Sequence, residues 1–349
     1  MFAKKNLVAA AALMALVGAA QADVKVYGSL DLSVGSFEAA HPQGASDRTT
    51  EVSSGNMMTS FLGFSGSEDL GGGLKAEFAI ESFLAPDTGS TTTVANKAGG
   101  FWSRGSFVAL TGGFGKVALG QYDNPLFTSG YTYNPFGSSM AFSPTMRHFY
   151  YNQSAIAQSV GGTSFDTGFV NSITYETPNM GGFSATAQFS PKESTSASNP
   201  AGGNSYAVSA TYAAGPFAAS LTYVKSGIAV AYDADEKVIG FGTSYDFGVL
   251  KAFGQYTQIK QESGIANKDR IYQVGVSVPV TEKGSILASF GKQQNKLEAG
   301  GAKENDTIVS VGYDHFLSKR TDVYAVFSNN QHTALKSGQT FAFGIKHAF

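Results

Sequence analysis

From residue 23 onward the chain alternates apolar and polar positions. Val24, Val26, Leu30, Leu32 and Val34 share one parity, and Lys25, Tyr27, Ser29, Asp31 and Ser33 the other. At the far end Phe341, Phe343, Ile345 and Phe349 fall together, opposite Thr340, Gly344 and Lys346, with His347 the polar exception in the apolar set. A period of two is the mark of a strand whose two faces meet different surroundings. Between the ends the pattern recurs in segments of about nine to eleven residues, the length a tilted strand needs to cross a bilayer. Short connections join these segments on one side: Leu70–Gly73, Gly112–Gly115, Pro178–Gly182, Ala213–Pro216, Phe247–Val249, Pro279–Gly284 and Leu317–Arg320. Long ones join them on the other, near 36–57, 85–100, 122–166, 191–204, 227–236, 261–268, 295–304 and 331–337. Seven short turns and eight long loops predict an all-β fold, a sixteen-stranded antiparallel transmembrane barrel with periplasmic turns and external loops. The strands predicted over 237–246, 250–260 and 285–294 alternate poorly.

The first 22 residues stand apart. Lys4 and Lys5 precede an apolar run from Leu7 to Ala20, and Ala20-Gln21-Ala22 supplies a small-x-small cleavage site. This is the build of a secretory signal, so residues 1–22 are expected to be removed and residues 23–349 to form the barrel. Beyond the signal there is no run of eighteen apolar residues, so a membrane would have to be crossed by a closed barrel. Charged residues make up only 14% of the chain, which also lacks Cys. That removes disulfides and thiolate metal sites. Lys4 and Lys5 aside, 22 basic and 26 acidic residues remain, a net charge of −4 without the basic excess a nucleic-acid partner would want. No cofactor is expected.

One face of the predicted sheet is built of Ser, Thr, Gln, Gly and charges throughout, as the wall of a water-filled lumen would be. Parity places Lys25, Asp31, Phe61, Lys75, Glu77, Glu81, Lys116, Glu176, Asp314, Asp322 and Lys346 on that face. The direction of Arg104 is ambiguous. The 122–166 connection is the longest, and it is rich in aromatics, among them Phe127, Tyr131, Tyr133, Phe136 and Phe142. Loops of that length are usually functional. An inward fold would narrow the lumen, whereas an outward cap or a subunit contact is the blander alternative.

The chain resembles the general-porin family of the β-proteobacterial type. The resemblance rests on the opening Val24-Lys25-Val26-Tyr27-Gly28-Ser29-Leu30-Asp31 and on Gly63-Phe64-Ser65-Gly66-Ser67-Glu68-Asp69-Leu70-Gly71-Gly72-Gly73-Leu74-Lys75-Ala76. It extends to Asn171–Pro178, Gly312-Tyr313, Leu317–Thr321 and the terminal Gly344–Phe349. It implies a homotrimer of sixteen-stranded barrels in the outer membrane, each pore narrowed by an inward third loop and open to small hydrophilic solutes. It also implies that Phe349 is presented to the barrel assembly machinery. Two departures stand out: Phe61 and Gln121 occupy positions where the family often has Arg. A weakly selective pore is therefore expected, with Lys25, Lys75, Lys116 and Arg147 set against Asp123 and the loop-three aromatics.

Other functions find less support. Catalysis would need a Ser/His/Asp or Asp/His constellation, yet of the five histidines only His148 lies in the long loop, with no nucleophile motif beside it. A substrate-specific channel, its loop-three aromatics forming a stacking slide for sugars, is the nearer rival. Asp233, Asp235 and Glu236 read as a hydrated acidic tip rather than a cation site.

Overall fold

Period-two segments can satisfy their backbone groups in hydrocarbon only by closing on one another, and the computed structural model shows that closure. It describes residues 23–42, 48–91, 100–150, 167–192, 203–228, 234–262, 267–297, 303–333 and 335–349. The signal segment, and with it Ala20–Ala22, lies outside them. The strands are β1 (Asp23–Phe37), β2 (Thr49–Ser54), β3 (Phe61–Gly71), β4 (Leu74–Phe83), β5 (Gly105–Gly112) and β6 (Gly115–Asp123). Next come β7 (Gly168–Glu176), β8 (Phe183–Ser190), β9 (Ser205–Ala214), β10 (Phe217–Ile228), β11 (Ala234–Asp246) and β12 (Lys251–Glu262). The chain ends with β13 (Asn267–Pro279), β14 (Gly284–Leu297), β15 (Glu304–Phe316), β16 (Thr321–His332) and β17 (Gly338–Ala348). Two short helices, α1 (Pro125–Thr132) and α2 (Pro144–Tyr150), follow β6.

All seventeen strands belong to one antiparallel sheet that closes through β1 and β17, with Ser29 opposite Ala348 and Ser36 opposite Phe341. They fill sixteen places. β2 pairs with Leu32–Phe37 of β1 and β3 with Asp23–Ser29, so these two share one crossing interrupted at residues 55–60. The predicted barrel thus forms, with the second crossing broken. At the seam Phe349 and Gly28 exchange backbone hydrogen bonds of 3.1 and 3.3 Å, which holds the C-terminus to the first strand.

The outer wall carries the apolar parity: Val24, Val108, Leu119, Leu221, Val274 and Phe343 are all exposed. Inside, the expected polar parity holds only in part. Val224, Val238, Ile259, Ile271, Ile308 and Val326 point inward and are buried. A water-filled lumen would not bury apolar side chains, so something must cover them. It is the segment after β6, which enters the barrel and packs α1 and α2 on this wall. The poor alternation in β11, β12 and β14 follows: lumenal positions there need apolar residues or glycine beneath the loop.

Candidate functional site

Loop three begins at Asn124. Its side-chain oxygen accepts from the Leu126 N–H at 2.9 Å and caps α1, with Pro125 in the first turn where no backbone donor is needed. Leu126 and Phe149 then join Val224, Val238, Ile259 and Ile271 in one apolar cluster. Wall glycines admit the loop. A methyl group at Gly242 would collide with the Tyr133 ring, and one at Gly291 with Pro144. Polar ties register the fit: the Gln255 amide donates to the Gly130 carbonyl at 3.0 Å, and the Gln273 carbonyl accepts from the Thr145 N–H at 2.7 Å.

The tip of the loop reaches the interruption between β2 and β3. Ser139 Oγ donates to the Asn56 carbonyl at 2.6 Å, and Met57 packs with Phe136, Phe142, Tyr324 and Val326. Beneath them Asp31 is wholly buried. Its Oδ2 accepts from the N–H groups of Met57 and Met58 at 2.6 and 3.0 Å, and its Oδ1 from the Tyr324 hydroxyl at 2.7 Å. Asp31 points inward as parity requires, but it is a structural acceptor out of reach of ions.

The described helices of loop three pack on β9–β11 and β13–β15, and on the wall formed by β1 and β3–β7 charges collect in acid–base pairs. Arg104 points inward, which resolves its direction: its guanidinium lies 3.9 Å over the Phe61 ring and is ion-paired to Glu81. Tyr27 packs edge-on against Phe61 and donates to Glu81 Oε1 at 2.5 Å. Toward the turns Lys116 pairs with Glu77 at 3.0 Å and faces the rings of Phe107 and Tyr122, while the Tyr122 hydroxyl donates to Glu176 at 3.1 Å. Asp123 is exposed. Its charge reaches Tyr131 of α1, whose hydroxyl is pushed above the usual tyrosine range, first by burial and then by Asp123. Gln121 turns away from the water and donates to the Ser103 carbonyl.

A sixteen-stranded barrel with a loop across its lumen is a channel, and known proteins of this build are porins. The family model described as Gram-negative porin matches residues 9–334. The chain is 33% identical over 330 residues to outer membrane porin protein 32 of Delftia acidovorans, covering 92% of this chain and 88% of that one. It is 31% identical to the major outer membrane protein P.IB of Neisseria lactamica, covering 84% and 74%. Among solved structures, an anion-selective porin from Comamonas acidovorans superposes with a TM-score of 0.77 at 28% identity, over 94% of this chain and all of that one. This chain belongs to the Gram-negative porin family.

The porin is a channel of the bacterial outer membrane, not an enzyme. Its expected site residues fall into distinct places. Lys25 and Lys75 are exposed near the turns, Lys25 within 3.6 Å of Asp23. Phe61, Glu77, Glu81, Lys116 and Asp123 lie on β3, β4 and β6, on the wall opposite the loop helices. Arg147 is half-buried on α2, across the lumen, with Asp306 of β15 the charge it senses most. Phe127, Tyr133, Phe136 and Phe142 are buried, Tyr133, Phe136 and Phe142 against the wall and Phe127 against Tyr131 and Tyr150 of the loop itself; Tyr131 stays half-exposed. Asp235 and Glu236 point to opposite faces, Asp235 pairing with Lys225 at 2.8 Å and Glu236 buried, while Asp233 lies outside the described residues. Parity left the direction of Arg104 open, since it precedes the first regular position of β5.

Proposed function

We propose that this porin is a trimeric general-diffusion channel with weak ion selectivity, passing small hydrophilic solutes through an eyelet between loop three and the Arg104 side of the wall. The observation that carries the selectivity reading is the pairing of bases with acids there. Arg104 with Glu81 and Lys116 with Glu77 each present a neutral pair, and Phe61 fills the place where another arginine would add unpaired charge. A selective pore needs an excess of one sign at its narrowest point. Although one similar porin is described as anion-selective, the paired charges of this chain favour a smaller preference.

The trimer reading is supported by the outer wall. Tyrosine, which settles at the lipid–water boundary, stands outward on β7, β9–β13 and β15 as Tyr175, Tyr206, Tyr223, Tyr245, Tyr256, Tyr272 and Tyr313. On β1 and β3–β6 the described outward positions are mainly aliphatic, such as Val24, Val26, Val108, Leu110 and Leu119. Protein rather than lipid against that face accounts for the difference. Residues 1–22 would serve as the export signal, and Phe349 as the terminal residue presented to the assembly machinery. Planar-bilayer conductance of the purified protein in a salt gradient tests both readings. Openings in groups of three with a small reversal potential are expected. A strong anion preference would overturn the weak selectivity, and solitary openings the trimer.

A further inference from the structure

The Lys116 ammonium ends among two rings and a carboxylate. It lies 3.0 Å from Glu77 Oε2, 5.2 Å from the centre of the Phe107 ring and 5.6 Å from that of Tyr122. The rings meet edge to face at 4.8 Å, and the Tyr122 hydroxyl donates to Glu176, which stands opposite Lys116 across the ladder of β6 and β7. Strands β4–β7 thus bring two aromatic groups and two carboxylates to one place on the lumenal wall. At the usual rise about 20 Å of strand separates Lys116 from Tyr122 on β6. Contact across that span requires the lysine stem to run along the wall toward the tyrosine instead of out into the water. The lumenal positions between them are Ala118 and Gly120, whose small size leaves the path clear, while Leu119 is exposed on the lipid face.

Aromatic faces beside carboxylates are the chemistry that recognises an ammonium ion, because the ring quadrupole attracts a cation more strongly where water is excluded. Lys116 and Glu77 are both half-buried. An ion pair between them would need neither ring. We propose that β4–β7 build a lumenal site for alkylammonium ions, and that Lys116 fills it from within the chain. Lys116 is then a specificity-determining residue of the channel: a free amine crossing the pore meets a cage already occupied and is not retained there. Cut back to alanine, the lysine leaves a vacancy with the shape of n-propylammonium, the cation formed by its atoms beyond Cβ. Glu77 and Glu176 would leave that vacancy acidic. This rests on the lumen being the diffusion path, but neither on the trimer nor on the strength of the selectivity.

Reversal potentials in a salt gradient, with n-propylammonium chloride added equally on both sides, test this. K116A should shift the potential toward cations, and millimolar n-propylammonium should return most of that shift. The same concentration of potassium should not, and wild type should respond to neither. Adding F107L to K116A should weaken the return about tenfold, since it removes one of the two ring faces. Heat-resistant migration on gels certifies the folded barrel in each variant, and K116S supplies the same vacancy if K116A yields no barrel. An equal response of wild type and K116A would show that the lysine does not occupy the site, and no response of K116A that there is no site. An undiminished response with F107L would leave the carboxylates as the whole attraction. Each of these three results would overturn the proposal. A wild type without channel openings would fail the diffusion reading instead, so the two failures are told apart.

Discussion

At the scale of single residues, Glu81 and Phe61 are the neighbours of Arg104 on the lumenal wall, and the proposed weak selectivity rests on them. Glu81→Gln removes the carboxylate but leaves the guanidinium stacked on Phe61, and Phe61→Arg adds a second cation in its place. Both variants should move the reversal potential toward anions, Phe61→Arg further, in the same salt-gradient measurement. His148 is a different kind of residue. It is buried in α2 with neither ring nitrogen hydrogen-bonded, and burial, followed by the charge of Arg147, pushes its pKa from 6.5 down to about 3. Docking of the loop therefore favours the neutral imidazole. That contribution is complete above the ordinary histidine pKa and is lost as pH falls from about 6.5 through about 3. Wild-type channels should grow noisier over that interval, and His148→Phe should remove the part of the noise due to this residue. Equal acid noise in both would assign the effect to carboxylates alone.

At the scale of elements, loop three is a lid held inside the barrel at two places. Along the wall it depends on glycines that leave room for side chains. Gly242→Val or Gly291→Val would drive a side chain into Tyr133 or Pro144 and lift the loop. Single-channel conductance should rise and larger sugars should pass in liposome swelling. At its tip the loop rests on residues 55–60, which Asp31 organises. Asp31→Asn keeps the volume, but its amide nitrogen must face either the two N–H groups or the Tyr324 hydroxyl, a loss of about 1–3 kcal/mol by the usual cost of an unsatisfied buried group. Heat-modifiability on gels should show unfolding at a lower temperature. The poor alternation of β11, β12 and β14 belongs to this scale as well, since it records the contact with the loop rather than weak strands.

At the scale of the whole molecule, the closed wall and the C-terminal tie to Gly28 make the last residue part of the seam. Deleting Phe349 removes that tie and should lower the yield of heat-resistant barrel in outer membranes, measured beside wild type. What the sequence by itself determined is the barrel: period-two segments, turns of two lengths and a strand at either end leave antiparallel closure as the way to satisfy backbone groups in lipid. The face of most wall residues followed from parity, as with Lys116 and Glu81, because alternation is a local property of the chain. Tertiary structure decided which lumenal groups meet water. Asp31 and Lys116 carry the same parity signal, yet Met57 and Tyr324 seal the first while the second stays half-exposed beside Glu77. The pairings of Arg104 with Glu81 and of Lys116 with Glu77 join residues from separate strands. Their meaning rests on register, which closure of the sheet sets and which no single segment records.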